Sequence, residues 1–103
     1  MKVITMCGSL KFESDIKHWT ERLALEGNCV LSIIYPTKSD KGAYTSEQHE
    51  LLDILHKKKI DMSDAIFVVN KGGYIGSSTK SEIDYAKAKG KELLFLEKSV
   101  YQA

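Results

Sequence analysis

Glu82 lies in the stretch NKGGYIGSSTKSEIDYA, residues 70–86, directly after the apolar run Ala65-Ile66-Phe67-Val68-Val69. A carboxylate there has two uses. It can attack a carbon centre or handle a proton, as paired carboxylates do in glycosidases, or it can close the capping box Thr79-Lys80-Ser81-Glu82 at a helix start. The residues before it suit a ligand. Gly73 and Gly76 allow backbone to approach closely, and Ser77, Ser78 and Thr79 offer hydroxyls, although such residues serve turns and caps equally well. Tyr74 can stack on a base or sugar, or simply be an exposed loop aromatic. A second small-residue loop, Gly8-Ser9-Leu10-Lys11, adds a cation. Glycines, hydroxyls and helix N-termini together favour an anion such as phosphate.

Other chemistries fit less well. No Gly-x-x-x-x-Gly-Lys-Ser/Thr occurs, and the first turn lacks Gly-x-Gly-x-x-Gly, so neither an NTPase loop nor a dinucleotide fingerprint is present. Cys7 as a phosphatase nucleophile would want an arginine close by, whereas the one arginine, Arg22, falls mid-helix; Cys7 reads as core. His18, His49 and His56 show no grouping with cysteine or carboxylate that implies a metal, and no cofactor is implied.

The elements that must position these residues alternate. Val3 to Met6 read as a strand buried on both faces, and Phe12, Ile16, Trp19 and Leu23 recur at helical spacing up to Gly27. Cys29 to Tyr35 read as a second strand, closed by Pro36, and the polar loop Pro36 to Thr45 as a flexible lid. Thr45-Ser46-Glu47-Gln48 is a capping box opening a helix to Met62. Ala65 to Val69, a helix Ser81 to Lys89 and a strand Glu92 to Leu96 complete the chain. Such alternation predicts an α/β fold of the three-layer flavodoxin or Rossmann-like kind, with a parallel sheet of about four strands in the order 2-1-3-4. The crevice would then lie between strands 1 and 3, where the two small-residue loops meet.

The 103 residues are expected to form one domain spanning 1–103. A net charge of +1 gives no global field for nucleic acid or an anionic membrane, so neither is expected as a partner. The start MKVITMCGSL is too short for a signal peptide, and no segment reaches the ~20 apolar residues of a membrane span. Cys7 and Cys29 lack Cys-x-x-Cys spacing and read as buried thiols on neighbouring strands. A cytoplasmic location is expected. Leu51, Leu55 and Met62, widened by Leu52 and Ile54, give the helix after the loop more apolar surface than a sheet needs, which points to a homodimer.

The sequence resembles the nucleoside 2-deoxyribosyltransferase superfamily, and most the branch that includes the deoxynucleoside 5'-monophosphate N-glycosidase. The matching pieces are Cys7-Gly8-Ser9-Leu10-Lys11, Asp64 to Val69, and Gly76 to Ala86 leading into Gly90-Lys91, with residues 29–55 weakest. The resemblance implies a pocket for a nucleoside or its 5'-phosphate, a nucleophile at Glu82, a phosphate- and sugar-binding loop at Gly8, Ser9 and Lys11, and completion of the site by a neighbouring subunit. The branch favours arginine where Lys11 stands. Two departures stand out: His56 falls where the family carries a catalytic aspartate, and Thr5 where an aromatic hydroxyl is common. Asp53 or Asp61 are alternative carboxylates, and His56 or Asp61 would protonate the leaving base. The other function that fits the same pocket is a non-catalytic module that senses or sequesters a signalling nucleotide, for instance an ADP-ribose derivative.

Overall fold

The computed structural model describes residues 1–37 and 44–102. Its elements are β1 (Val3–Gly8), α1 (Glu13–Leu25), β2 (Cys29–Leu31), α2 (Ser46–Asp61), β3 (Ala65–Val69), α3 (Ser77–Ala88) and β4 (Glu92–Phe95), with 3-10 turns at Leu10–Phe12, Lys71–Gly73 and Val100–Gln102. All strand pairs are parallel, and the order is β2-β1-β3-β4, as expected from the alternation. Of the loop read as a lid, residues 38–43 lie outside the described residues. Among the described residues, no helix is long and apolar enough to cross a membrane.

Successive side chains of a strand point to opposite faces, and this divides the core in two. Ile4 and Met6 of β1 pack with Ala65, Phe67 and Val69 of β3 against Ile16 and Leu23 of α1. Cys7 packs with Ile66 and Val68 against Ile60 of α2 and Ile83 and Ala86 of α3. One helix therefore covers one face and two cover the other. Every residue of β3 is buried, which is why its sequence runs apolar without alternation. Trp19 stacks on Phe67 with centroids 5.3 Å apart, sealing the α1 side. Each fully buried isoleucine here contributes roughly 1.5–3 kcal/mol of transfer free energy.

Four details differ from the sequence expectation. Strand β2 stops at Leu31 rather than Tyr35: Leu31, opposite Thr5, is its last paired residue, and the Ser32 carbonyl accepts a hydrogen bond from Lys59 Nζ at 2.8 Å. Cys29 is exposed at this sheet edge and pairs in register with Val3, far along the strand from buried Cys7; both thiols are free. Helix α3 begins at Ser77, not Ser81, since Gly76 takes the extended N-cap conformation and its carbonyl accepts the Lys80 amide at 2.9 Å. The capping box of α2 forms as read, with Gln48 N–H donating to Thr45 Oγ1 at 3.1 Å and Thr45 N–H to Gln48 Oε1 at 2.9 Å. Yet α2 turns His56 and Ile60 into the core, leaving Leu51, Ile54, Leu55 and Met62 each about half exposed.

Candidate active site

The winding of the sheet reverses between β1 and β3, so their carboxyl ends open a crevice. Gly8 ends β1 beside Val69, the last residue of β3. A Cβ on Gly8 would lie 3.1 Å from the Val69 carbonyl oxygen, and its φ of +153° disfavours any side chain. Ser9 Oγ accepts the Lys11 amide at 3.3 Å, shaping the first loop. Lys11 Nζ then lies 3.3 Å from the centre of the Tyr74 ring, and Phe12 meets that ring edge-on at 6.0 Å. The two small-residue loops thus touch, through a cation on an aromatic face.

Asn70 holds the second loop in place. It is 1% exposed; its Nδ2 donates to the Glu97 carbonyl at 3.0 Å and its Oδ1 accepts the Glu97 amide at 2.9 Å. The Gly72 amide donates to the Glu97 carboxylate at 2.7 Å, and the Gly73 amide to the Asn70 carbonyl at 2.8 Å. The amides of Gly72 and Gly73 are therefore engaged within the loop. Gly76 caps α3 without a side chain, so the first amides of that helix, at Ser77 and Ser78, are left for solvent or an anion. Ser77 and Ser78 are exposed, and Tyr74 is partly so beside Gly76; Thr79 is buried beneath the helix.

Glu82 falls in the second turn of α3, and Thr79 is not the N-cap, so the box Thr79 to Glu82 does not form. The carboxylate points to the sheet instead. Its Oε1 lies 3.6 Å from His56 Nε2, and the same Nε2 lies 3.6 Å from Cys7 Sγ. The side chains of His56 and Glu82 keep only 10% and 14% of their exposure. Against the expectation from sequence, His56 thus has both a cysteine and a carboxylate beside it. Burial raises the Glu82 pKa to about 7, opposed by a hydrogen bond with Cys7. Burial, helped by the charge of Lys59, lowers His56 to about 4. Burial, and then the Glu82 charge, pushes the Cys7 thiol up. Near neutrality the trio is a thiol, an uncharged imidazole and a carboxyl group about half ionised.

The other acids are placed elsewhere. Asp61 ends α2, more than a turn beyond His56, where its Oδ1 accepts the Tyr85 hydroxyl at 2.7 Å and its backbone carbonyl accepts Lys91 Nζ at 3.1 Å. Asp53 pairs with Lys57 at 3.1 Å, although its charge also helps raise Glu82. Thr5 is buried and shares a hydrogen bond with Ser63. The sequence reading overlooked Cys7 as a neighbour of Glu82, and Asn70 with Glu97 as the loop's anchors. Cys7 could have been noticed from its place at the carboxyl end of β1, just before the glycine loop.

No protein-family model and no curated protein matches this sequence. Solved structures do match in fold, among them the following two. A conserved protein from Enterococcus faecalis V583 superposes with a TM-score of 0.65 at 22% identity, covering 97% of this chain and 65% of that one. A 2-desoxiribosyltransferase from Leishmania mexicana superposes with a TM-score of 0.59 at 24% identity, covering 92% of this chain and 63% of that one. This chain therefore spans just under two thirds of the length of the structures it matches. It shares the α/β fold of both proteins.

Proposed function

We propose that this chain, as one domain, acts on the N-glycosidic bond of a nucleoside or nucleoside 5'-monophosphate, with Glu82 as the nucleophile. The observation that carries the reading is a largely buried carboxylate, free of any capping role, beside the carboxyl end of β1 where both small-residue loops meet. Glu82 in its ionised form would attack the anomeric carbon, the C–N bond would break with its electron pair leaving on the base, and water or a second base would resolve the glycosyl ester. His56 stays uncharged at neutral pH, so it would not act as a strong acid. The departing base would take its proton from solvent. Lys11, Ser9 and the amides of Ser77 and Ser78 would meet the sugar or its phosphate, with Tyr74 beside them. The test is chromatography of a panel of nucleosides and nucleotides for released base.

One observation favours a second reading. Neither His56, uncharged down to about pH 4, nor Asp61, engaged by Tyr85, is arranged as a proton donor. Tight binding without base release across the panel would assign a nucleotide-binding module, with Glu82 accepting hydrogen bonds from ribose hydroxyls.

Both readings share an anion site. A nucleoside 5'-monophosphate at a hundred times its Kd should stabilise the fold by ~2.7 kcal/mol, seen as a rise of several degrees in Tm. Lys11→Ala should reduce that rise; an unchanged shift would remove the first loop from the site. We also propose that two copies associate through the exposed face of α2 formed by Leu51, Ile54, Leu55 and Met62. Light scattering should report a dimer at high micromolar concentration and a monomer for Leu55→Glu, whereas a monomeric wild type would refute the interface. The two free thiols suit a cytoplasmic protein.

A further inference from the structure

Cys7, His56 and Glu82 come from three different elements, β1, α2 and α3, and meet on the face of the sheet covered by α2 and α3. Each offers one ligand atom, and these atoms all lie within 4.8 Å of one another; no other such grouping of histidine, cysteine and carboxylate occurs among the described residues. The two measured separations, Sγ to Nε2 and Nε2 to Oε1, are both 3.6 Å. Bonds of ~2.3 Å to sulfur and ~2.0–2.2 Å to nitrogen or oxygen, held at the tetrahedral angle, separate neighbouring ligand atoms by roughly 3.3–3.7 Å. Both separations are those of ligands around a small tetrahedral cation, and the third pair lies within 4.8 Å.

The donor set narrows the ion. A thiolate beside an imidazole and a carboxylate favours Zn2+ and its close relatives over Mg2+ or Ca2+, which prefer oxygen alone. The ring is also prepared for the task. Nε2 faces both Cys7 and Glu82. A thiolate, a carboxylate and a neutral imidazole would together balance a divalent charge, as a buried site requires. Three protein ligands leave a fourth position for water or a ligand atom, the pattern of open zinc sites.

We propose that Cys7 Sγ, His56 Nε2 and a Glu82 carboxylate oxygen form a site for one Zn2+-class ion per chain, and that the ion blocks glycosyl chemistry by occupying the Glu82 carboxylate. On binding, the thiol releases its proton, as does any protonated Glu82, and no oxidation state changes. The blocking half rests on the function proposed above, and the binding half stands without it.

The probe is Co2+ titrated into the full chain after chelator treatment. The expected result is a thiolate-to-cobalt charge-transfer absorption that saturates at one equivalent and is abolished by excess Zn2+. Cys7→Ser should remove the band and Cys29→Ser should keep it. His56→Gln should weaken the affinity by more than the ~10–100-fold typical of losing an outer-shell partner, and this variant decides the matter if Cys7→Ser fails to fold. No band with wild type, or a band that follows Cys29 instead of Cys7, would overturn the site. For the blocking half, Zn2+ at saturation should stop base release by wild type while sparing a folded Cys7→Ser variant; release that continues under Zn2+ would overturn it. A chain that never releases base defeats the proposed reaction, and with it the blocking half, while the cobalt band still decides the site.

Discussion

Glu82→Gln is expected to lower base release by roughly 10³-fold or more, because an amide oxygen is a very poor nucleophile beside a carboxylate. The same change should not weaken the fold. Glu82 is not the partner in a capping box, since α3 begins at Ser77 with Gly76 as its N-cap, so no helix terminus depends on it. Glutamine matches its size and can keep a hydrogen bond to Cys7. It also removes a carboxylate that is hard to ionise where it is buried, with a pKa of about 7. At pH 8 the variant should therefore melt higher than wild type while failing to turn over substrate, as a catalytic group placed at the expense of stability would. Measuring Tm and base release on the same preparations checks both statements. Undiminished turnover would remove Glu82 from the chemistry. Lost turnover with a sharply lower Tm would make its role structural. In wild type, turnover should rise with pH through about 7 as Glu82 ionises.

The pH dependence of stability should be concealed in wild type and appear in single variants. Glu82 has a folded pKa of about 7, above its ordinary 4.5, so its contribution is full below 4.5 and is lost as pH rises to 7. His56 has a folded pKa of about 4, below its ordinary 6.5, so its contribution is full above 6.5 and is lost as pH falls to 4. Between 4.5 and 6.5 the unfolded pair holds one proton on histidine, and the folded pair holds one on the carboxyl group. The counts match, so the pair contributes no slope there. Remove one member and the other's slope is exposed. The stability of Glu82→Gln minus that of wild type should grow by on the order of 3 kcal/mol from pH 4.5 to 7. The corresponding difference for His56→Gln should shrink by a similar ~3 kcal/mol from pH 4 to 6.5. Urea melts across this range give both curves, and differences that stay flat with pH would mean that the two groups titrate as they do in water.

The sequence by itself determined the parallel α/β order. Ala65 to Val69 had to be a central strand because five consecutive apolar residues can all be buried only when helices cover both faces, and the structure buries all five. It also determined where the two small-residue loops meet, since strand order and right-handed crossovers place Gly8-Ser9 beside the turn after Val69. The capping box at Thr45 was legible because both of its hydrogen bonds are local. Local pattern left two uses open for Glu82, and the box Thr79 to Glu82 does not form because α3 starts at Ser77 with Gly76 as its N-cap. The rotation of α2 was also beyond reach. Its apolar residues spread round most of the helix, so spacing alone did not say that His56 would face inward and Leu55 outward. That rotation brings His56 to Glu82 and Cys7, three residues far apart in the chain whose pKa values and metal-like spacing exist only once β1, α2 and α3 have packed together. Burial and distance are properties of that packing, and no short-range pattern in the sequence encodes them.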